Sequence, residues 1–222
     1  MRMARLSVSP DDQASDLGPG SYLELPLGEF LVTLSAGHAA PGGGSAAALT
    51  VSLGASLCAM AARLSTRQLA GLDIEFLVAE AERLRNSAAS LVQADAESYL
   101  GVVAALRDKP GQDPGAASHL PGPGPGRQRH RTDAALSEAA TIPMEVLELA
   151  AQTARLAARL AADGNPRLRG DAITAALLAQ AGARSAATLV SINLAALPGD
   201  DRPARAEELL SEIASAVRAA EG

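Results

Sequence analysis

A chain of 222 residues with a formal charge of −6 lacks the basic surplus that a general nucleic-acid binder uses to displace counterions. A hydrophobic share of 48% suffices for one domain with a sizeable core, and the single cysteine, Cys58, excludes an intrachain disulfide or a Cys-cluster zinc site. Aromatic residues make up only 2% and alanine abounds, which argues against sheets and for helices packed closely through small side chains.

Residues 1–24 read as a mobile tail. Arg2 and Arg5 are followed by Asp11, Asp12 and Asp16 rather than by an apolar signal core, so a cytoplasmic protein is expected. Residues 29–35 predict a short helix that stops near Gly37. Residues 41–62 carry no charge and are long enough to span a bilayer. However, Gly42, Gly43, Gly44, Ser45, Thr50, Ser52, Gly54 and Ser56 dot the run with small and polar groups. That pattern predicts a helix from 42 to about 65, buried at the centre of a bundle, with no membrane partner. Cys58 lies within it and is expected to be a packing thiol.

Residues 73–107 predict one long helix. Ile74, Leu77, Val78, Ala81, Leu84, Ala88, Leu91 and Val92, then Tyr99, Val102, Val103 and Leu106, recur with helical period. Residues 108–131 hold Pro110, Pro114 and an alternating Pro-Gly run, which predicts a flexible inserted loop. Arg127, Arg129, His130 and Arg131 form a solvated basic cluster at its end. A fourth helix is expected over 132–163, kinked at Pro143, with Gly164, Asn165 and Pro166 as its stop. A fifth covers 171–197. A last amphipathic helix covers 203–220, with Leu209, Leu210, Ile213 and Val217 turned inward. The expected fold class is all-α: a helical bundle with two apolar central helices and long antiparallel helices. It forms one domain over 25–222 and is expected to dimerise through its apolar helices.

Asp95 is the most informative residue. It continues the apolar stripe, four residues after Leu91 and four before Tyr99, so its carboxylate is expected to face the core or a cleft. Burial raises such a group's pKa. It can then act as acid or base, grip a polar ligand, pair with a neighbouring arginine, or turn to solvent. The turn at 42–45 presents free amides at a helix start, suited to an anion or electron-rich oxygen, with Ser45 as a plain N-cap the simpler alternative. Neither a phosphate-loop lysine nor dinucleotide-binding spacing accompanies it. Asp171 stands where it would cap the fifth helix or complement its dipole. Asn193 interrupts an apolar helix and needs a protein or ligand partner. Arg63 closes the central helix, where a carboxylate or the helix C-terminus would attract it. No His-Glu spacing points to a metal, and none is expected.

The run Pro41-Gly42-Gly43-Gly44-Ser45-Ala46-Ala47-Ala48 is followed in order by Met60-Ala61-Ala62-Arg63-Leu64-Ser65, by Asp95 with Ala96 and Tyr99, and by Ala140 with Pro143. Gly164-Asn165 with Asp171, and Ser191-Ile192-Asn193-Leu194, complete the set. These segments resemble the motifs of the cyclodeaminase/cyclohydrolase family over about residues 25–200. Gly170 stands where that family usually has Ser, and the Pro/Gly loop replaces a segment that usually carries Leu-Pro-Lys. The resemblance implies an all-helical homodimer that acts on a tetrahydrofolate derivative and holds no tightly bound cofactor. The implied reaction is hydrolysis of 5,10-methenyltetrahydrofolate to 10-formyltetrahydrofolate, favoured because no partner domain accompanies the chain. The alternatives are ammonia loss from formiminotetrahydrofolate, or a non-catalytic relative that binds folate or a partner. Catalytic roles then fall to Asp95, Asp171 and Asn165. Substrate binding falls to Gly42, Gly43, Gly44, Ser45, Arg63 and Asn193.

Overall fold

A computed structural model describes residues 21–69, 74–107 and 125–222. The described residues form seven α-helices and two short 3-10 turns, and no strand. The α-helices are α1 (Leu27–Ser35), α2 (Gly43–Arg63), α3 (Ile74–Arg107), α4 (Pro125–Ala139), α5 (Thr141–Asp163), α6 (Arg169–Leu194) and α7 (Arg202–Glu221). The 3-10 turns are Tyr22–Glu24 and Pro166–Leu168. The all-α bundle expected from composition is what forms.

Side-chain pairs fix the direction of each helix. Ser45 meets Asp95 near the start of α2 and Arg63 meets Glu82 near its end, so α2 and α3 are antiparallel. Gly182 lies against Ala47, and Gly54 against Ala175, so α6 also opposes α2. Cys58 contacts Thr153, and Ser65 meets Asn165, so α5 runs with α2. Arg205 lies near Glu148 and Arg155 meets Glu212, so α7 runs with α5.

α2 and the segment Pro166–Leu194 are both long and apolar enough to cross a membrane. The bundle buries 61% of the first window and 44% of the second, so α2 is the more enclosed of the two. Small side chains set their spacing. A Cβ on Gly182 would sit 2.6 Å from Val51 Cγ2 and 2.9 Å from the Ala47 carbonyl oxygen, and one on Gly54 would sit 2.9 Å from the Ala175 carbonyl oxygen. The two backbones approach more closely than any side chain would allow. Cys58 is fully buried, and burial pushes its thiol up to about 12, as suits a packing residue.

Three boundaries differ from expectation. Residues 21–24, read as part of the tail, form a capped 3-10 turn that packs on α3. The Tyr22 amide donates to Gln93 Oε1 at 3.2 Å, and the Tyr22 ring meets Phe30 edge-on with centroids 6.2 Å apart. The rest of the expected tail, 1–20, lies outside the described residues, as does 108–124 of the expected loop. The basic cluster after that loop belongs to a helix, since α4 already begins at Pro125. Finally, the predicted kink at Pro143 is a break. α4 ends at Ala139 and α5 starts at Thr141, two residues before the proline. Proline lacks the N–H that would reach the carbonyl four residues back, at Ala139, and its ring crowds that turn.

Gly182→Val is expected to destabilise the protein by about 2 kcal/mol or more, because the added methyls overlap Val51 and the α2 backbone. Chemical denaturation measures this, and an unchanged midpoint would contradict the tight α2–α6 contact.

Candidate active site

One end of the bundle holds a cavity of about 370 Å³. The start of α2, the second half of α3, the α4–α5 break and the end of α6 form its walls. Gly42, Gly43, Gly44, Asp95 and Asn193 all line it. The ordered motifs of α2, α3 and α6 therefore meet in space although they are spread over 150 residues of sequence.

Asp95 is held by the helix opposite. Ser45 Oγ donates to Asp95 Oδ2 at 3.0 Å, and the Ser45 main-chain N–H also bonds the carboxylate. The anion favoured at the N-terminus of α2 is thus supplied by the protein itself. Burial raises the Asp95 pKa above its ordinary value, and the two Ser45 bonds oppose that rise without cancelling it. The position of Gly44 depends on the same contact. A Cβ there would fall inside the Asp95 carboxylate, far within van der Waals distance of Oδ1. Ser45 itself is fully buried. Expected to touch substrate, it instead positions Asp95 from behind the cavity wall.

Asn193 has a structural duty as well. Its Nδ2 donates to the Ala139 carbonyl at 3.1 Å. That carbonyl is the one Pro143 cannot serve, so a side chain from α6 replaces the missing helical bond. Pro143 and Ala139 both face the cavity. One Nδ2 proton is committed to Ala139, so Asn193 retains Oδ1 and its second Nδ2 proton for a ligand. Tyr99 also lies on the wall, 50% exposed, although its place in the apolar stripe predicted burial.

Asn165, Asp171 and Arg63 do not join this cavity within one chain. Asn165 spends its polar groups on structure. Its main-chain N–H donates to Ser65 Oγ at 2.8 Å, its Nδ2 to the Leu64 carbonyl at 3.1 Å, and its Oδ1 accepts from the Arg167 N–H at 3.1 Å. It pins the α5–α6 connection to the end of α2. Asp171 sits in the first turn of α6. Asn193 is 22 residues further along that helix, so roughly 33 Å separates them at 1.5 Å per residue. Arg63, at the far end of α2, pairs with Glu82. Among the described residues, no three His, Cys, Asp or Glu side chains gather as a metal site.

A partly desolvated carboxylate at the cavity wall has two measurable consequences. Ser45→Ala removes a bond that favours the ionised form, so the Asp95 pKa is expected to rise further in a carboxyl NMR titration. Asp95→Asn is expected to raise the melting temperature at pH 7. In the native protein the raised pKa means that ionisation costs stability as pH climbs from about 4 through the folded-state pKa. The variant escapes that cost, so its advantage should vanish below about pH 4. A variant that melts lower at pH 7 would contradict the desolvation.

The profile of the family described as formiminotransferase-cyclodeaminase matches residues 26–215. A methenyltetrahydrofolate cyclohydrolase of Methylorubrum extorquens is 30% identical over 83% of this chain and 85% of its own length. The formimidoyltransferase-cyclodeaminase of Rattus norvegicus is 31% identical over 83% of this chain, which spans only 34% of that longer protein. In the fold, a formiminotetrahydrofolate cyclodeaminase of Thermotoga maritima superposes with a TM-score of 0.74 at 22% identity, covering 90% of this chain and 96% of its own. The chain belongs to the formiminotransferase-cyclodeaminase family.

Proposed function

We propose that this chain hydrolyses 5,10-methenyltetrahydrofolate to 10-formyltetrahydrofolate, with Asp95 as the general base. The observation that carries the reading is a half-desolvated carboxylate, held by Ser45 at the wall of a cavity large enough for a folate head group. The substrate carries a positive N–CH=N bridge. Water attacks the bridge carbon and gives one proton to Asp95, leaving a neutral hydroxylated intermediate. The C–N5 bond then breaks as Asp95 returns its proton to N5. The remaining hydroxyl proton leaves to solvent, and a formyl group stays on N10.

Two physical effects support Asp95 in this role. A carboxylate in a partly dry site stabilises the bridging cation strongly before and during attack. The cation in turn favours ionised Asp95, so substrate binding readies the base that burial had suppressed.

Ammonia loss from formiminotetrahydrofolate is the second reading, and the names of the mammalian relatives favour it. The methenyltetrahydrofolate cyclohydrolase relative, 30% identical over 83% of this chain, supports the hydrolase. Asn165, Asp171 and Arg63 stand too far from Asp95 in one chain to carry a step in either reaction. The protein is read as cytoplasmic, with folate as substrate and no tightly bound cofactor. It is read as a homodimer because the outer faces of α2 and α6 expose Leu53 and Leu177 at 51% and 43%.

Following the methenyl absorbance band with each substrate separates the readings. Loss of the band with methenyltetrahydrofolate, and no gain with formiminotetrahydrofolate, is expected. Asp95→Ala should lower kcat by about 10²–10⁴, and unchanged turnover would remove Asp95 from the mechanism. Failure of both assays with folate still raising the melting temperature would leave a binding protein. In sedimentation, the native chain should run as a dimer and Leu53→Glu as a monomer. A native monomer would refute the pairing.

A further inference from the structure

We infer that Tyr99 is the stacking surface for the flat ring of the folate head group and so sets the ligand class of the cavity, an inference that rests on the proposed function above. The chain holds two Phe, two Tyr and no Trp, so each aromatic ring carries information. Tyr22 and Phe30 pack on each other and anchor the start of the domain. Phe76 lies near the other end of α3, roughly 35 Å away over 23 residues at 1.5 Å each. Among the described residues, Tyr99 is the aromatic side chain that lines the cavity.

Its exposure needs a reason. Tyr99 follows Asp95 by one helical turn and belongs to the stripe that buries Val92, Ala96 and Val102, yet half its surface is open. Tyr99 lines the cavity with part of that open surface, where a ligand can reach the ring. The rest of the lining matches such a slot. Pro143, Leu189 and Ile192 supply aliphatic surface, while Asp95, Ser98 and Asn193 supply polar groups. Asn193 offers its Oδ1 as an acceptor, while one of its two Nδ2 protons holds Ala139. An apolar slot with hydrogen-bond acceptors suits a flat heterocycle that presents N–H groups along one edge, as the aminopyrimidinone half of a pterin does.

The test compares Tyr99→Leu, which removes the ring, with Tyr99→Phe, which keeps it. Folic acid binding is measured by calorimetry, and turnover is measured on methenyltetrahydrofolate. Tyr99→Leu should weaken folic acid binding and raise KM by about ten times, with kcat changed by less than about two times. Tyr99→Phe should rescue most of the affinity. Because the chain lacks Trp and has two Tyr, its emission is that of tyrosine, and folic acid should quench it less in Tyr99→Leu than in the native protein. Equal binding by Tyr99→Leu, equal loss in both variants, or a fall in kcat at constant KM would each overturn the stacking role. A native protein that binds folic acid through Tyr99 but hydrolyses nothing would sink the hydrolase reading and leave this inference standing. Hydrolysis indifferent to Tyr99→Leu would do the reverse.

Discussion

The contact between the start of α2 and the Asp95 carboxylate is the constraint on which the rest of the molecule turns. A carboxylate on the inward face of α3 needs donors, and the first turn of α2 has amide donors with no helical partner. Ser45 contributes both its N–H and its hydroxyl. Gly44 is required because any Cβ would occupy the space of the carboxylate. This single junction sets the register of α2 against α3. Further along the pair, Ser52 Oγ donates to the Arg85 carbonyl at 3.1 Å, and Arg63 meets Glu82. With α2 fixed, the close Gly54 and Gly182 contacts set the depth of α6, and α6 delivers Asn193 to the same end of the bundle.

A second device completes that end. Pro143 breaks the long helix that would otherwise run from α4 into α5, and the break leaves the Ala139 carbonyl without its helical donor. Asn193 supplies the donor from α6. The exchange ties α6 to α4 where a continuous helix would have bonded to itself, and it holds the amide that faces the cavity. A structural repair and a ligand-binding group are therefore the same side chain.

Helix content, the central place of α2 and the importance of Asp95 were legible because each rests on local pattern. Uncharged, small-residue runs must be buried, and a carboxylate inside an apolar stripe must face something. Pairings between helices were not legible. The positions of Asn165, Asp171 and Asn193 along the chain do not state which end of the bundle each will occupy. Antiparallel packing of α2 and α6 sends Asn193 to the cavity and Asp171 to the opposite end. Ser45 reads equally well as a cap or a ligand group until its buried contact with Asp95 is seen. The Pro143–Asn193 exchange left one usable signal: a proline inside a predicted helix orphans the carbonyl four residues back, and some polar side chain has to serve it. Tyr99 was placed in the core by its period, whereas it lines the cavity with half its surface open.

The site is held at a cost that the rest of the bundle offsets. Burial makes ionised Asp95 less favourable than it would be in water, and the protein relieves only part of that with Ser45. A fuller set of donors would make Asp95 a more stable carboxylate and a weaker base, since each added bond lowers its proton affinity. Removing Ser45 would leave it protonated more often and unable to accept a proton from water. Burial with only the Ser45 bonds to offset it keeps the proton affinity of Asp95 elevated. It leaves the final shift toward the ionised form to a positively charged ligand. Stability given up at Asp95 is thus returned as a preference for a cation over a neutral molecule of the same shape, and the selectivity of the site and the strain in its core have one origin.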